Sequence, residues 1–239
     1  MPVQATYINL YTTKDVSKND LLSDNNILSA NINSSTGTYL PSIIEKKYEN
    51  FYEFILTNGE KKILILENIL NETHIINITN NNKSLIKYVY ISNNCVSIEN
   101  NCFKDCNNLE LILYINNQNN IDISLNNIGT SAFENCSKLE KCELFDLSNN
   151  IVNIGSNAFK NCNNLYEINI ENSSNLQSLG ANAFEECNKI LTINLNGNIS
   201  FGNYCFKNSG LINIYFTNNL SNNIGTNIFD SIPENACCY

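Results

Sequence analysis

The sequence has one histidine, His74, in 239 residues. That scarcity removes most acid–base and nucleophile-activation schemes, which rely on an imidazole titrating near neutral pH. His74 itself is read as a surface or strand-end residue. Basic side chains are also few: 14 Lys and Arg face 23 Asp and Glu, for a net charge of -9. Binding to a nucleic-acid backbone needs cations that displace counterions, so no nucleic-acid partner is expected. No apolar run approaches the ~18 residues of a membrane-spanning helix, so no membrane insertion is expected. The opening Met1-Pro2-Val3-Gln4-Ala5-Thr6-Tyr7 lacks the basic-then-apolar plan of a secretion signal,. This favours an intracellular or virion-associated location over a secreted one. No G-x-x-x-x-G-K-[ST] loop, G-x-S-x-G elbow or H-E-x-x-H helix occurs. The carboxylates form no spacing that marks a general acid and its partner. The sequence therefore predicts no enzyme, no catalytic or metal-binding residue and no cofactor.

What is present is apolar content, at 43%, enough for a packed core, with only 15% charged residues,. Asparagine supplies the missing polarity, far above its ordinary usage. Enrichment in Asn, Ile, Lys and Tyr commonly accompanies AT-rich genes.

From residue 98 one pattern recurs. It begins as Ile98-x-x-x-Cys102-Phe103-x-x-Cys106-x-x-Leu109-x-x-Ile112-x-Tyr114. The next copies are Ile128-Gly129-x-x-Ala132-Phe133-x-x-Cys136-x-x-Leu139-x-x-Cys142-x-Leu144 and Ile154-Gly155-x-x-Ala158-Phe159-x-x-Cys162-x-x-Leu165-x-x-Ile168-x-Ile170. A fourth runs from Leu179-Gly180 through Ala183-Phe184, Cys187 and Ile190 to Ile193-x-Leu195. The fifth, Phe201-Gly202-x-x-Cys205-Phe206-x-x-Ser209-x-Leu211, is one residue short before its leucine, which predicts a tighter turn. The sixth starts Ile224-Gly225-x-x-Ile228-Phe229 and meets Pro233, and its strand is expected to be missing. Steps between the Phe positions are 30, 26, 25, 22 and 23 residues, the spacing of a solenoid with about 20–29 residues per coil.

Each residue type suits one coil. Gly after the first apolar residue predicts a sharp or positive-φ turn. Phe and Cys, three apart, fit one face of a single helical turn and point inward. The closing Leu-x-x-Ile-x-Ile alternates as a short strand, and stacked coils would pair these strands in parallel roughly 4.8 Å apart.

With these residues in view, the chain resembles the BspA-type leucine-rich repeats, whose hallmark is Ile-Gly-x-x-Ala-Phe-x-x-Cys-x-x-Leu-x-x-Ile-x-Leu. Residues 128–144, 154–170 and 179–195 match it closely. The resemblance implies a leucine-rich-repeat solenoid: a short parallel β-sheet with one-turn helices or loops on the opposite side, preceded by a β-rich N-terminal cap. Members occur in bacterial surface proteins, protists and large DNA viruses, and the resemblance implies protein-binding or adhesive roles. Cys142 replaces an aliphatic residue of the pattern, and the usual Pro after the strand is absent.

The expected organisation is a polar N-terminal segment (1–50), a β-hairpin and cap (51–91), the repeats (92–223) and a C-terminal partial repeat and cap (224–239). Phe51–Leu56 and Lys61–Leu66, joined through Asn58-Gly59, read as the hairpin. Ile75-Ile76-Asn77-Ile78 reads as a strand, and Leu85-x-x-Tyr88-x-Tyr90 as the strand half of a degenerate coil. Cys106, Cys136, Cys162 and Cys187 share one repeat position and are read as a column of buried thiols rather than metal ligands or disulfides, with Cys237-Cys238 the exception if there is one.

The outward residues of successive strands are expected to form two columns: Lys87, Leu111, Lys141, Glu167, Thr192, Asn213, and Val89, Leu113, Glu143, Asn169, Asn194, Tyr215. Their mixed polarity suits a protein partner. The functional expectation is a non-enzymatic interaction or adhesion module. The alternative is a structural assembly subunit, viral or cell-surface, that uses the solenoid as a spacer. Carbohydrate binding lacks the clustered aromatics it usually needs.

Overall fold

Asparagine and glycine decide the path of each coil. In the computed structural model, the described residues are 6–9, 51–57, 61–65, 69–79, 81–92, 95–115, 124–144, 150–166, 168, 170, 175–195, 198–216 and 224–238. A coil begins with a two-residue strand that ends on the apolar residue before Gly. It then runs through tandem turns carrying Ala-Phe-x-x-Cys and returns through the strand on the other side.

The elements in chain order are β1 (Thr6–Asn9), β2 (Phe51–Leu56), β3 (Lys61–Ile65), β4 (Ile69–Leu70), α1 (Glu72–Thr79), β5 (Ile86–Ser92), β6 (Ser97–Ile98) and β7 (Leu111–Ile115). They continue with β8 (Asn127–Ile128), β9 (Lys141–Cys142), β10 (Asn153–Ile154), β11 (Ser178–Leu179), β12 (Thr192–Leu195), β13 (Ser200–Phe201), β14 (Asn213–Phe216) and β15 (Cys237–Cys238).

Two walls of parallel strands result. One is the unbroken series β4-β6-β8-β10-β11-β13, extended to the last coil by the bridge from Phe201 to Ile224. The sequence had not revealed these two-residue strands. The other wall holds β5-β7-β9 in parallel and, further along, β12-β14-β15. The hairpin β2–β3 forms antiparallel as predicted, with Glu53 opposite Ile63, and β2 joins the wall antiparallel to β5. From the segment read as polar, β1 adds antiparallel to β3.

The turn side is held by an alternation of backbone donors. Asn101, Phe103 and Asp105 donate their N–H groups to the carbonyls of Thr130, Ala132 and Glu134 in the next coil, at 2.7–2.9 Å. The intervening Cys102, Lys104 and Cys106 donate within their own coil, to Glu99, Asn101 and Phe103. This scheme repeats down to Tyr204, Phe206 and Asn208, whose N–H groups reach Thr226, Ile228 and Asp230. Sending alternate N–H groups in two directions requires left-handed residues. Two per coil have φ of 53–65°: Asn101 and Asp105, Ser131 and Asn135, Asn157 and Asn161, Asn182 and Glu186, Tyr204 and Asn208, Asn227 and Ser231. Asparagine tolerates that region better than other residues with a Cβ, and it fills seven of these twelve places,.

Because of this geometry the Ala-Phe-x-x-Cys segment is a pair of turns rather than a helical turn, although Phe and Cys both face inward as expected. Glycine opens the turn as expected, the Gly129, Gly155 and Gly180 carbonyls each accepting from the Ala N–H three residues on at 3.3 Å. It does not adopt positive φ; a Cβ on Gly180 would sit 2.3 Å from the Ser156 nitrogen of the preceding coil. The glycines are there because neighbouring backbones pass too close for a side chain.

The core is one continuous column. Phe103, Phe133, Phe159, Phe184, Phe206 and Phe229 stack with ring centroids 5.0–5.6 Å apart and planes within 17° of parallel. All but the last are fully buried. Beside them, Cys136, Cys162 and Cys187 donate their thiols to the carbonyls of Phe103, Phe133 and Phe159, each at 3.2 Å. At the shortened fifth turn the preceding coil passes close: a Cβ on Gly210 would lie 2.0 Å from the Asn188 carbonyl oxygen.

Three expectations are corrected. Ile75-Ile76-Asn77-Ile78 lies in helix α1, not a strand, because Ile75 and Thr79, four apart, share the buried face and the Thr79 hydroxyl donates to the Ile75 carbonyl at 2.8 Å. The sixth coil does have a strand: β15 pairs in parallel with β14, Asn213 opposite Cys237. The degenerate first coil is shifted by one residue, for its inward residues are Ile86, Val89 and Ile91, all fully buried.

Replacing Phe159 by Ala is expected to destabilise the chain by about 3–5 kcal/mol, because it removes one buried ring from a stack that cannot close over the gap. A urea-unfolding midpoint equal to that of the parent would contradict this. Gly180→Ala is expected to cost about 1–3 kcal/mol by forcing two coils apart, read in the same titration.

Candidate protein-interaction surface

The outward residues of the strand wall lie where parallel pairing puts them. Tyr88 stands opposite Leu111 and Tyr90 opposite Leu113, while Leu111 faces Lys141 across the next pair. Thr192 aligns with Asn213, and Asn194 with Tyr215. The first coil therefore contributes Tyr88 and Tyr90, not Lys87 and Val89. A one-residue slip moves every side chain of a strand to the opposite face, and Val89 accordingly sits in the core opposite Ile112. Glu167 and Asn169 fall outside the described residues. The remaining predicted residues, Leu111, Leu113, Lys141, Glu143, Thr192, Asn194, Asn213 and Tyr215, are on the outer side, and Leu111 and Leu113 are half-buried rather than fully exposed.

Lys87 borders this face. Its ammonium lies 3.5 Å from the Glu110 carboxylate and 4.9 Å from the Tyr88 ring centre. The Tyr88 side chain and then Glu110 hold it above the usual lysine pKa. Lys141 and Glu143 approach at 3.8 Å, from alternate positions of one chain segment.

The sequence columns missed a third row, formed by the residue after each Leu position of the motif. It reads Glu110, Glu140, Tyr166, Leu191, Ile212, tied together where Glu140 donates to the Glu110 carbonyl, Tyr166 to Glu140, and Ile212 to Leu191. Tyr166 and Leu191 are each 52% exposed, and Tyr215 nearby in the stack is 39% exposed. These are three of the four large apolar side chains exposed among the described residues. The signal was available in the position after each Leu of the motif, which turns from acidic to apolar along the chain.

On the turn side, the residue after each Phe alternates in sign: Lys104, Glu134, Lys160, Glu185, Lys207, Asp230. Lys104 and Glu134 pair at 2.9 Å, Lys160 and Glu185 at 2.7 Å, and Lys207 and Asp230 at 3.9 Å. Amides form a parallel ladder: Asn135 donates to Asp105 and Asn161 to Asn135, both at 2.7 Å. This flank is occupied with its own contacts.

Among the described residues no group of three or more His, Cys, Asp or Glu is arranged to hold a metal ion, and no helix is long and apolar enough to cross a membrane. His74 lies in α1. Eight of the ten cysteines are buried and unbridged, and Cys237 and Cys238 are exposed. Burial pushes the buried thiols up: Cys106 to about 12, and Cys136 and Cys162 well above the ordinary thiol value.

A stack of coils with one ordered face and a closed interior defines a repeat solenoid. The sequence matches the BspA type leucine rich repeat region in six copies, over residues 44–125, 73–171 and 113–234. The chain belongs to that family, and the match reaches further toward the N-terminus than the six motif copies do. Among solved structures it is similar to a leucine rich cell surface protein of Faecalibacterium prausnitzii A2-165, at 23% identity and a TM-score of 0.57, over 70% of this chain and 41% of that one. The chain thus spans about two fifths of that protein's length. The T. pallidum leucine rich repeat protein aligns at 18% identity and a TM-score of 0.41, over 54% of this chain and 64% of that one. No curated protein sequence matches.

Thiol labelling of the native protein is expected to modify Cys237 and Cys238 at once and to leave Cys136 and Cys162 unlabelled until unfolding. The raised thiol pKa values also set a pH dependence. A thiol held above its unfolded value contributes stability that is present below pH 9.0 and is lost as pH rises toward about 12,. The unfolding midpoint should fall across that window, and less steeply in Cys162→Ala; equal slopes would contradict the burial of that thiol as the source.

Proposed function

We propose that this chain is a non-enzymatic protein-interaction or adhesion module, binding a protein partner through the exposed face of its strand wall. The observation that supports this most is the row of Tyr166 and Leu191 beside Tyr215, large exposed apolar side chains on backbone bonded between coils and bordered by Lys141 and Glu143. Rigid aromatic and aliphatic anchors lose little entropy on binding and often supply most of the contact energy, while the charged border selects among partners. Tyr88 and Tyr90 give the other end of the face a similar character.

With a partner isolated by proximity labelling in the native host, Tyr166→Ala combined with Leu191→Ala is expected to weaken binding by about tenfold or more, each anchor contributing on the order of 1 kcal/mol. Glu143→Lys with Tyr215→Ala should weaken it too. Asn153→Ala, on the opposite wall, serves as the control. Equal affinity in all three variants would remove this face from consideration. The spacer reading, an assembly subunit, is separated by sedimentation: a monomer at all concentrations counts against it.

A further inference from the structure

The strand wall changes character along the stack. In its first coils the described charges stand in couples, Lys87 with Glu110 and Lys141 with Glu143. Beyond Tyr166 the outward positions are Leu191, Thr192 and Asn194 in one coil and Asn213 and Tyr215 in the next, and none of these side chains is charged near neutral pH,. Lys189, exposed on the turn before Leu191, borders them. The sequence columns hold one aromatic residue in this area, Tyr215, too few to seat a sugar. The structure adds Tyr166, which is 52% exposed and aligned through its bond to the Glu140 carbonyl.

From Tyr166 to Tyr215 is two coils along the stack and three residues along the strand, roughly 14 Å between backbones at ~4.8 Å per coil and ~3.3 Å per residue. Between the two rings Thr192 stands opposite Asn213, and Asn194 opposite Tyr215. The Asn213 amide donates to the Thr192 hydroxyl at 3.4 Å. That bond uses one donor of the amide and one acceptor site of the hydroxyl, and leaves the Asn213 side-chain oxygen as an acceptor and the Thr192 O–H as a donor. Thr192 is exposed and Asn213 half-buried. A pyranose has a complementary build: one apolar face of C–H bonds and a rim of hydroxyls that both donate and accept. Exposed phenol rings suit the face, and the hydroxyl and amides suit the rim. The distance between the rings is more than one sugar bridges and is the reach of a trisaccharide. A net charge of -9 disfavours carboxylated or sulfated glycans,.

Given the strand face proposed above, on which this rests, we infer that its later coils recognise a neutral oligosaccharide carried by the protein partner. One sugar lies over Tyr166, with Leu191 widening the apolar seat, and another lies over Tyr215. The hydroxyls between them bond to Thr192 and Asn213.

The probes are maltotriose, mannotriose and chitotriose, each added to the full chain and read in the tyrosine ring resonances. At least one is expected to shift the Tyr166 and Tyr215 signals together. Tyr166→Ala should weaken that binding by about three- to tenfold, the range of one aromatic contact, while Tyr166→Phe, which keeps the ring, should hold it within about twofold. Thr192→Val should weaken it by about threefold, the scale of one hydrogen bond. The partner found by proximity labelling is then stripped of its sugars with glycosidases, and its affinity should fall by at least the factor that Tyr166→Ala costs. No shift with any of the three sugars, or sugar binding that Tyr166→Ala leaves unchanged, would overturn the inference. Partner binding that still depends on Tyr166 and Leu191 would in that case keep the strand face as a contact for polypeptide alone. A sugar that binds while the stripped partner is captured as before would move the ligand to a free glycan and overturn the choice of a partner-borne one. Sialyllactose binding more tightly than the neutral sugars would overturn the choice of a neutral ligand.

Discussion

The separation of neighbouring coils is set by backbone hydrogen bonds between them, and most of the sequence answers to that distance. At that spacing the phenyl rings fall about 5 Å apart and stack face over face, the thiols reach the carbonyl of the preceding Phe, and no Cβ fits at the glycines. Each coil is short and buries little by itself. Stability therefore comes from repetition, as in any stack whose units touch only their neighbours.

The fold could be read from the repeat because its Phe, Cys and Leu positions are inward and chemically constrained. The bland Asn positions were not legible, since an AT-rich gene also explains asparagine. Only the backbone shows that seven of them sit where φ must be positive. Gly was legible as a turn residue, whereas its steric constraint came from a neighbouring coil that a single motif does not show. Helix α1 was misread because Ile-Ile-Asn-Ile has strand propensity, and tertiary packing against the first coil outweighed it.

The outward columns were legible wherever the motif was strong and failed where it was degenerate. In β5 the pattern Ile86-x-x-Val89-x-Ile91 matches the strand half of the repeat better than Leu85-x-x-Tyr88-x-Tyr90. The two tyrosines drew the register one residue early, and the error exchanged inside for outside. The Tyr166–Leu191 row was missed for a different reason: it lies one place after the motif Leu, a position that alternation rules do not cover, yet backbone bonds between coils align it.

The row of alternating charges beside the phenylalanines has a consequence for how such a chain can change in length. Lys104 with Glu134, Lys160 with Glu185, and Lys207 with Asp230 form three couples. Deleting or duplicating one coil from the middle would bring two ammonium or two carboxylate groups side by side, whereas gaining or losing two together leaves the sequence of signs intact. Charge therefore repeats every two coils along this flank, while packing repeats every one.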